Sequence, residues 1–164
     1  LLISHPVLDE GNEYQHRVLD YAKYMDVELI VRPDLIDVNR GTRQDGGKVY
    51  SLWDTYVQAD FVTYPSTYEG FGNAFLEAIF YRKPILVNRY AIYAQDIEPL
   101  GFRTTVMDGY VTDAVVKDVA RVLSDPMEER KRIAENFAIG KRYLSYEVLR
   151  RRLPTLFMNF GAVS

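Results

Sequence analysis

Short apolar runs alternate with segments of helical periodicity along most of this chain, and this alternation constrains the fold more than any other feature. Phe61–Tyr64 is an apolar run that ends at Pro65, Asn73–Tyr81 has helical spacing, and Pro84–Val87 is continuously apolar after its proline. Continuous apolar runs bounded by turn residues are typical of strands buried on both faces. We therefore predict an α/β fold with a mostly parallel sheet, helices on both faces and right-handed crossovers.

The same patterns assign the remaining elements. The polar, glycine-containing sequence from Pro33 to Lys48 indicates a long irregular connection, and Pro126 suits the first position of a long helix. The other predicted strands are Leu1–Ser4, Val27–Arg32 and Phe102–Met107, and the predicted helices are Tyr14–Met25, Tyr50–Ala59, a segment within Ala91–Leu100, Asp113–Leu123, Pro126–Tyr143 and Ser145–Leu156.

Composition excludes several classes of protein. The 164 residues are 48% apolar, which suits one compact domain, and the net charge of −3 provides no overall basic field for nucleic acid. No apolar run reaches the roughly 20 residues of a membrane span, so no transmembrane segment is predicted. Because the chain has no cysteine and opens inside an apparent strand without a methionine, we expect a cytoplasmic protein and a piece of a longer one.

The loop after the Phe61–Tyr64 strand carries the candidate chemistry. In open α/β sheets, ligands bind beyond the carboxyl ends of strands, where helices begin with free backbone N–H groups and a positive dipole end. Gly70 and Gly72 permit positive φ and close approach of a ligand to the backbone. Glu69 and Glu77 are eight positions apart, so one carboxylate can face each end of an elongated ligand.

These residues resemble a known family. The sequence PSTYEGFGNAFLEAI from Pro65, followed by RKPILV at Arg82–Val87, is similar to the E-x7-E signature of the retaining GT-B glycosyltransferases of family 4, the glycosyl transferases group 1. The resemblance covers nearly the whole chain. It implies that residues 1–164 are a single Rossmann-like, three-layer donor-binding domain, the C-terminal half of a GT-B fold, whose acceptor is held by a missing N-terminal domain.

The resemblance also implies a role for each residue of the motif. It identifies Glu69 as the candidate catalytic residue, which orients the transferred hexose, and Glu77 as the acceptor of hydrogen bonds from the ribose hydroxyls. The donor is expected to be a UDP-, GDP- or ADP-sugar, without a metal or other cofactor, and transfer is expected to retain the anomeric configuration. The remaining donor-binding residues are Gly70, Phe71, Gly72, Asn73 and Ala74.

The first loop departs from the family's pattern. Members carry a basic R-x4-K-G sequence there, but aligning the glycine puts His5 at the arginine position and Glu10 at the lysine position, which reverses the charge. His5 and Arg17 are therefore candidate phosphate contacts. Other basic residues that could replace the missing charge are Arg40, Arg43 and Lys48.

Three functions stay open at this stage. The first is a hexosyltransferase domain that binds its donor but barely turns over by itself. The second is a noncatalytic nucleotide-sugar-binding module, which Glu10 favours, and the third is one half of a nucleotide-sugar epimerase, which needs no acceptor.

Overall fold

The computed structural model describes residues 1–3 and 11–161, which belong to two compact units, Leu1–Gln58 and Ala59–Ser164. Strands and helices alternate and most strand pairs are parallel, so the predicted Rossmann-like α/β class is confirmed. The strands are β1 (Leu2–Ile3), β2 (Ile30–Val31), β3 (Ile36–Asp37), β4 (Gly41–Thr42), β5 (Lys48–Ser51), β6 (Val62–Tyr64), β7 (Ile85–Asn88) and β8 (Thr105–Met107). The helices are α1 (Gly11–Tyr24), α2 (Leu52–Gln58), α3 (Asn73–Phe80), α4 (Asp113–Ser124), α5 (Pro126–Leu144) and α6 (Tyr146–Gly161).

The N-terminal unit contains two small sheets. β1 pairs in parallel with β2, and β5 lies between β3, its parallel partner, and β4, its antiparallel partner. The prediction of an irregular connection over 33–48 is therefore wrong. The β4–β5 hairpin closes at Gly46, which has φ +82°, while the Arg43 N–H donates to the Gly47 carbonyl at 2.7 Å. The turn at Gly46 sets the pairing of β4 with β5, and the polar sequence has no apolar alternation that would predict strands.

Side-chain capping determines where α2 begins. The Asp54 carboxylate accepts both the Ser51 backbone N–H at 2.9 Å and the Ser51 hydroxyl at 2.8 Å, which is the carboxylate half of a capping box at the first turn. Arg40 Nε donates to the same carboxylate at 2.8 Å. The predicted Tyr50–Ala59 helix therefore begins two residues later, because Tyr50 and Ser51 end β5.

The C-terminal unit contains a parallel sheet of β6, β7 and β8 in chain order. Tyr64 pairs with Val87, and Asn88 pairs with Met107, so the carboxyl ends of all three strands lie at one edge. Ile85, Leu86 and Val87 are buried, as the continuous apolar sequence predicted, and so is Asn88, the polar last residue of β7. The core beside the sheet includes fully buried Phe75 and Tyr93.

Helices pack on this sheet and on one another. α3 contacts β6, β7 and α5, while α4 contacts β8 and α5. Gly140 lets α5 approach α3 closely, because a Cβ there would lie 2.9 Å from a methyl of Ile79. The predicted start of α5 at Pro126 is confirmed, and the Asp125 side chain caps it by accepting the Met127 N–H at 2.9 Å.

An ionic cluster around one buried arginine joins β8, α4 and α5. Arg132 is 5% exposed and donates to Asp118 at 2.7 Å and to Glu128 at 2.8 Å. Thr105 donates its hydroxyl to Asp118 at 2.6 Å. Hydrogen bonding to Arg132 is the main reason that the pKa of Asp118 lies well below its usual range. The cluster is fully paired, as a buried charge requires.

Candidate functional site

The loop from Pro65 to Gly72 lies at the carboxyl edge of the β6–β8 sheet and leads directly into α3. Gly72 occupies the position before the helix, with φ +100° and ψ +75°, and its carbonyl accepts the Phe75 N–H at 3.1 Å. No side chain caps this end of α3. The first amides of the helix, at Asn73 and Ala74, therefore remain available to an anion or a hydroxyl.

Only glycine fits at position 72. A Cβ there would overlap the Tyr90 hydroxyl oxygen and lie 3.2 Å from Tyr64 Cε1, and the positive φ would strain any side-chain-bearing residue. Of the two glycines that permit positive φ, Gly72 adopts it. Gly70 does not have a positive φ, and a Cβ there would meet nothing within 4 Å. Gly70 leaves the surface of the loop open but is not required by the backbone conformation.

The two glutamates occupy the predicted parts of the structure. Glu69 lies in the loop and Glu77 lies on the second turn of α3, and both are half-buried. The pKa of Tyr64 is raised well above its usual value, first by burial and then by a hydrogen bond to Glu69 and the charge of that carboxylate. Tyr64 therefore stays a neutral hydroxyl that can donate to Glu69.

Asn88 is a site residue that the sequence patterns did not reveal. It is the last residue of β7, is 4% exposed, and donates its side-chain amide to the Ser66 carbonyl at 3.2 Å. Its side-chain oxygen accepts the Gly109 N–H at 2.9 Å. One buried amide thus connects the loop after β6 to the loop after β8. A polar residue at the end of an apolar strand was the available signal.

Tyr90 is the second residue that the sequence patterns did not reveal. It is 3% exposed, and its hydroxyl donates to the Phe71 carbonyl at 2.8 Å. Burial, followed by the charge of Glu69, raises the pKa of Tyr90 to about 12. The contact spans 19 positions of sequence, so no local pattern indicates it.

The candidate phosphate contacts lie in different surroundings. His5 and Glu10 lie outside the described residues. Arg17 is exposed on α1, with its guanidinium 5.7 Å from the centre of the Tyr14 ring. Arg40 pairs with a carboxylate as described above, Arg43 pairs with Asp34 at 2.8 Å, and Lys48 is exposed. A phosphate role for any of them stays a prediction.

The described part of the chain lacks a metal-binding cluster and a membrane-spanning helix. Across residues 1–3 and 11–161, no three acidic or histidine side chains come together as a metal-binding group. Over those same residues, none of the helices is long and apolar enough to cross a membrane.

This chain is similar in sequence to one protein family and to two named relatives. The sequence model of the family described as "Glycosyl transferases group 1" matches residues 46–138, which include the whole Pro65–Glu77 segment. A mannosylglucosylglycerate synthase from Petrotoga mobilis is 46% identical over 97 residues, which are 59% of this chain and 22% of that protein. A mannosylglucosylglycerate synthase from Thermotoga maritima is 32% identical over 153 residues, which are 85% of this chain and 34% of that protein. The chain thus matches about a third or less of the length of these relatives. It belongs to the group 1 glycosyltransferases.

Proposed function

We propose that this chain is the donor-binding half of a retaining hexosyltransferase. It binds a nucleoside diphosphate sugar at the Pro65–Glu77 segment and transfers the hexose to an acceptor held by a domain outside residues 1–164. Membership of the group 1 glycosyltransferases supports the transferase reaction and a nucleotide-sugar donor. The single-domain organisation and the cytoplasmic location remain predictions within this proposal.

The observation that carries the proposal is the uncapped start of α3 behind Gly72. Positive φ at Gly72 and the lack of a capping side chain leave backbone N–H groups for a charged ligand at the end of a helix dipole. In glycosyl transfer from a nucleotide sugar, negative charge develops on the departing diphosphate. Prearranged donors at that position stabilise the transition state more than the ground state.

The flanking carboxylates complete the proposed donor contacts. Glu77 accepts hydrogen bonds from the vicinal ribose hydroxyls, and Glu69 orients the hexose. Retention follows from attack on the same face that the diphosphate leaves, with the departing phosphate oxygen accepting the proton of the acceptor hydroxyl. Glu69 is then an orienting group and forms no covalent intermediate.

The relatives suggest a class of product. Both are named mannosylglucosylglycerate synthase, a name that specifies mannosyl, glucosyl and glycerate units. We propose that the transferred hexose is a mannosyl group and that the acceptor is a glucosylated glycerate. The base of the nucleotide stays open among uracil, guanine and adenine.

Calorimetric titration of the intact protein with UDP, GDP and ADP tests the donor site. We expect one of the three to bind saturably, and Glu77→Ala to weaken that binding about 10-fold or more because the ribose loses a charged acceptor. Glu147→Ala, which removes an exposed glutamate from the first turn of α6, is the matched control. Failure of all three nucleotides to bind contradicts the proposal.

Two product assays separate the alternatives. A noncatalytic module binds a nucleotide but transfers no hexose from any nucleotide sugar to glucosylglycerate. An epimerase half converts the nucleotide sugar in the absence of acceptor. The synthase names of both relatives favour transfer, whereas the noncatalytic alternative depends on Glu10, which lies outside the described residues.

A further inference from the structure

We propose that Tyr90 is a positioning residue for donor binding: its hydroxyl fixes the peptide between Phe71 and Gly72 so that the Gly72 N–H faces the distal phosphate of the donor. The inference rests on the proposed function, because it concerns the same loop. Tyr90 lies outside the E-x7-E segment and follows β7 in the chain.

The hydrogen bond determines which way the peptide points. Tyr90 Oη donates to the Phe71 carbonyl at 2.8 Å. The peptide bonds of the described residues are all trans, so the Phe71 carbonyl and the Gly72 N–H point in opposite directions. With the carbonyl directed at Tyr90 in the interior, the N–H is directed away from it. The peptide directly precedes the free amides of Asn73 and Ala74 at the start of α3, so in the proposed complex it lies beside the diphosphate.

The ring of Tyr90 cannot move away from the loop. It is 3% exposed, packs edge-on against Tyr64 with ring centres 6.2 Å apart, and lies tilted against Tyr93 with ring centres 5.8 Å apart. Its backbone is held as well, because the Tyr90 N–H donates to the Asn88 carbonyl at 2.9 Å and its carbonyl accepts the Ala94 N–H at 3.0 Å. The hydroxyl is therefore a fixed donor beneath the loop.

The opposite peptide orientation would be unfavourable for two reasons. It would aim the Phe71 carbonyl oxygen at the phosphate, replacing an attractive N–H with a repulsive partial charge. It would also leave the buried Tyr90 hydroxyl without its acceptor. The high pKa of Tyr90 keeps the hydroxyl protonated, and hence a donor, at any physiological pH.

Tyr90→Phe removes the hydroxyl and preserves the ring, so it releases the peptide without creating a cavity. We expect the affinity for the nucleoside diphosphate that the wild type binds to fall about 10- to 100-fold, the range for one lost hydrogen bond to a charged group. The matching nucleoside monophosphate lacks the distal phosphate, so its affinity should change less than about 3-fold.

Tyr93→Phe is the matched control. Tyr93 is fully buried next to Tyr90, and its hydroxyl is 2.6 Å from Thr104 Oγ1, away from the Phe71 carbonyl. Both substitutions remove one buried hydroxyl from a tyrosine with one hydrogen-bond partner, so their effects on thermal stability should be similar. Only Tyr90→Phe should lower the affinity for the diphosphate much more than the affinity for the monophosphate. Both variants are to be measured in the intact protein by calorimetry.

Each outcome has a distinct meaning. If Tyr90→Phe and Tyr93→Phe change diphosphate affinity equally, or if Tyr90→Phe weakens both nucleotides equally, the positioning role is overturned and the donor site stands. If the wild type binds no nucleotide, the proposed function fails, and the inference fails with it.

A measurement on the wild type covers the case in which Tyr90→Phe does not fold. In a ¹⁵N-labelled protein, the Gly72 amide resonance should move strongly downfield with the diphosphate and hardly at all with the monophosphate. An unmoved Gly72 resonance in the diphosphate complex overturns the inference.

Discussion

Gly72→Ala is the substitution whose cost the structure defines most closely. Alanine at φ +100° pays a backbone strain of about 1–2 kcal/mol, because its Cβ crowds the neighbouring carbonyl. The new Cβ would also overlap Tyr90 Oη and lie 3.2 Å from Tyr64 Cε1, and overpacking of this kind costs about 1–3 kcal/mol. We therefore expect the free energy of unfolding to fall by about 2–5 kcal/mol.

Gly70→Ala is the control two positions away. It introduces the same methyl group into the same loop, but at a residue without positive φ and with no atom within 4 Å of the new Cβ. Its effect on the free energy of unfolding should stay within about 0.5 kcal/mol. Urea titrations of the two variants, followed by circular dichroism, measure this difference directly. Equal costs for the two substitutions would refute the packing argument for Gly72.

A second measurement isolates the overlap with Tyr90. Adding Tyr90→Phe to Gly72→Ala removes the oxygen that the new Cβ overlaps, whereas the backbone strain persists. The two substitutions should therefore be less than additive, with a coupling of about 1 kcal/mol in a double-mutant cycle. Strict additivity would mean that the Tyr90 hydroxyl contributes nothing to the cost, which would then come from the backbone of Gly72 and the remaining ring contacts.

Three further outcomes concern buried polar groups. Arg132→Met should lower the free energy of unfolding by about 1–3 kcal/mol, measured in urea, because it removes the charged hydrogen bonds to Asp118 and Glu128, which keep Arg121 and Arg103 as partners. The folded pKa of Asp118 is lowered, so its stabilisation is present above the unfolded pKa of about 3.9 and disappears as pH falls through the folded pKa. Asp118→Asn should accordingly flatten the dependence of stability on pH between about pH 5 and pH 2. Asn88→Ala should cost about 1–3 kcal/mol by thermal unfolding, since it unpairs the Ser66 carbonyl and the Gly109 N–H.

The parts of the fold that could be predicted are those with strong local signals. Pro84–Val87 predicted β7 because a continuously apolar run has few alternatives to burial in a sheet. Pro126 predicted the start of α5 because proline fits a first helical position and Asp125 before it is a strong cap. The hairpin of β4 and β5 was missed because its sequence is mostly polar and its turn depends on the positive φ of Gly46.

The candidate site shows the same division. The sequence motif indicated Glu69, Gly72 and Glu77, and the structure puts the first in the loop and the last on the second turn of α3, as expected. Glycine composition alone could not distinguish Gly72, which needs its positive φ, from Gly70, which does not. Tyr90 and Tyr64 lie against Gly72, whereas a Cβ at Gly70 would meet nothing within 4 Å.

By itself, the sequence of this chain determined the α/β class, the β6–loop–α3 unit and the family, because periodicity, turn residues and a contiguous motif are all local in the chain. Only the tertiary structure decided which side chains hold the loop. Asn88 reaches Ser66 and Gly109 across 22 and 21 positions, and Tyr90 reaches Phe71 across 19. Parallel strands bring their carboxyl ends to one edge from distant parts of the sequence, and the contacts made there depend on the packed sheet.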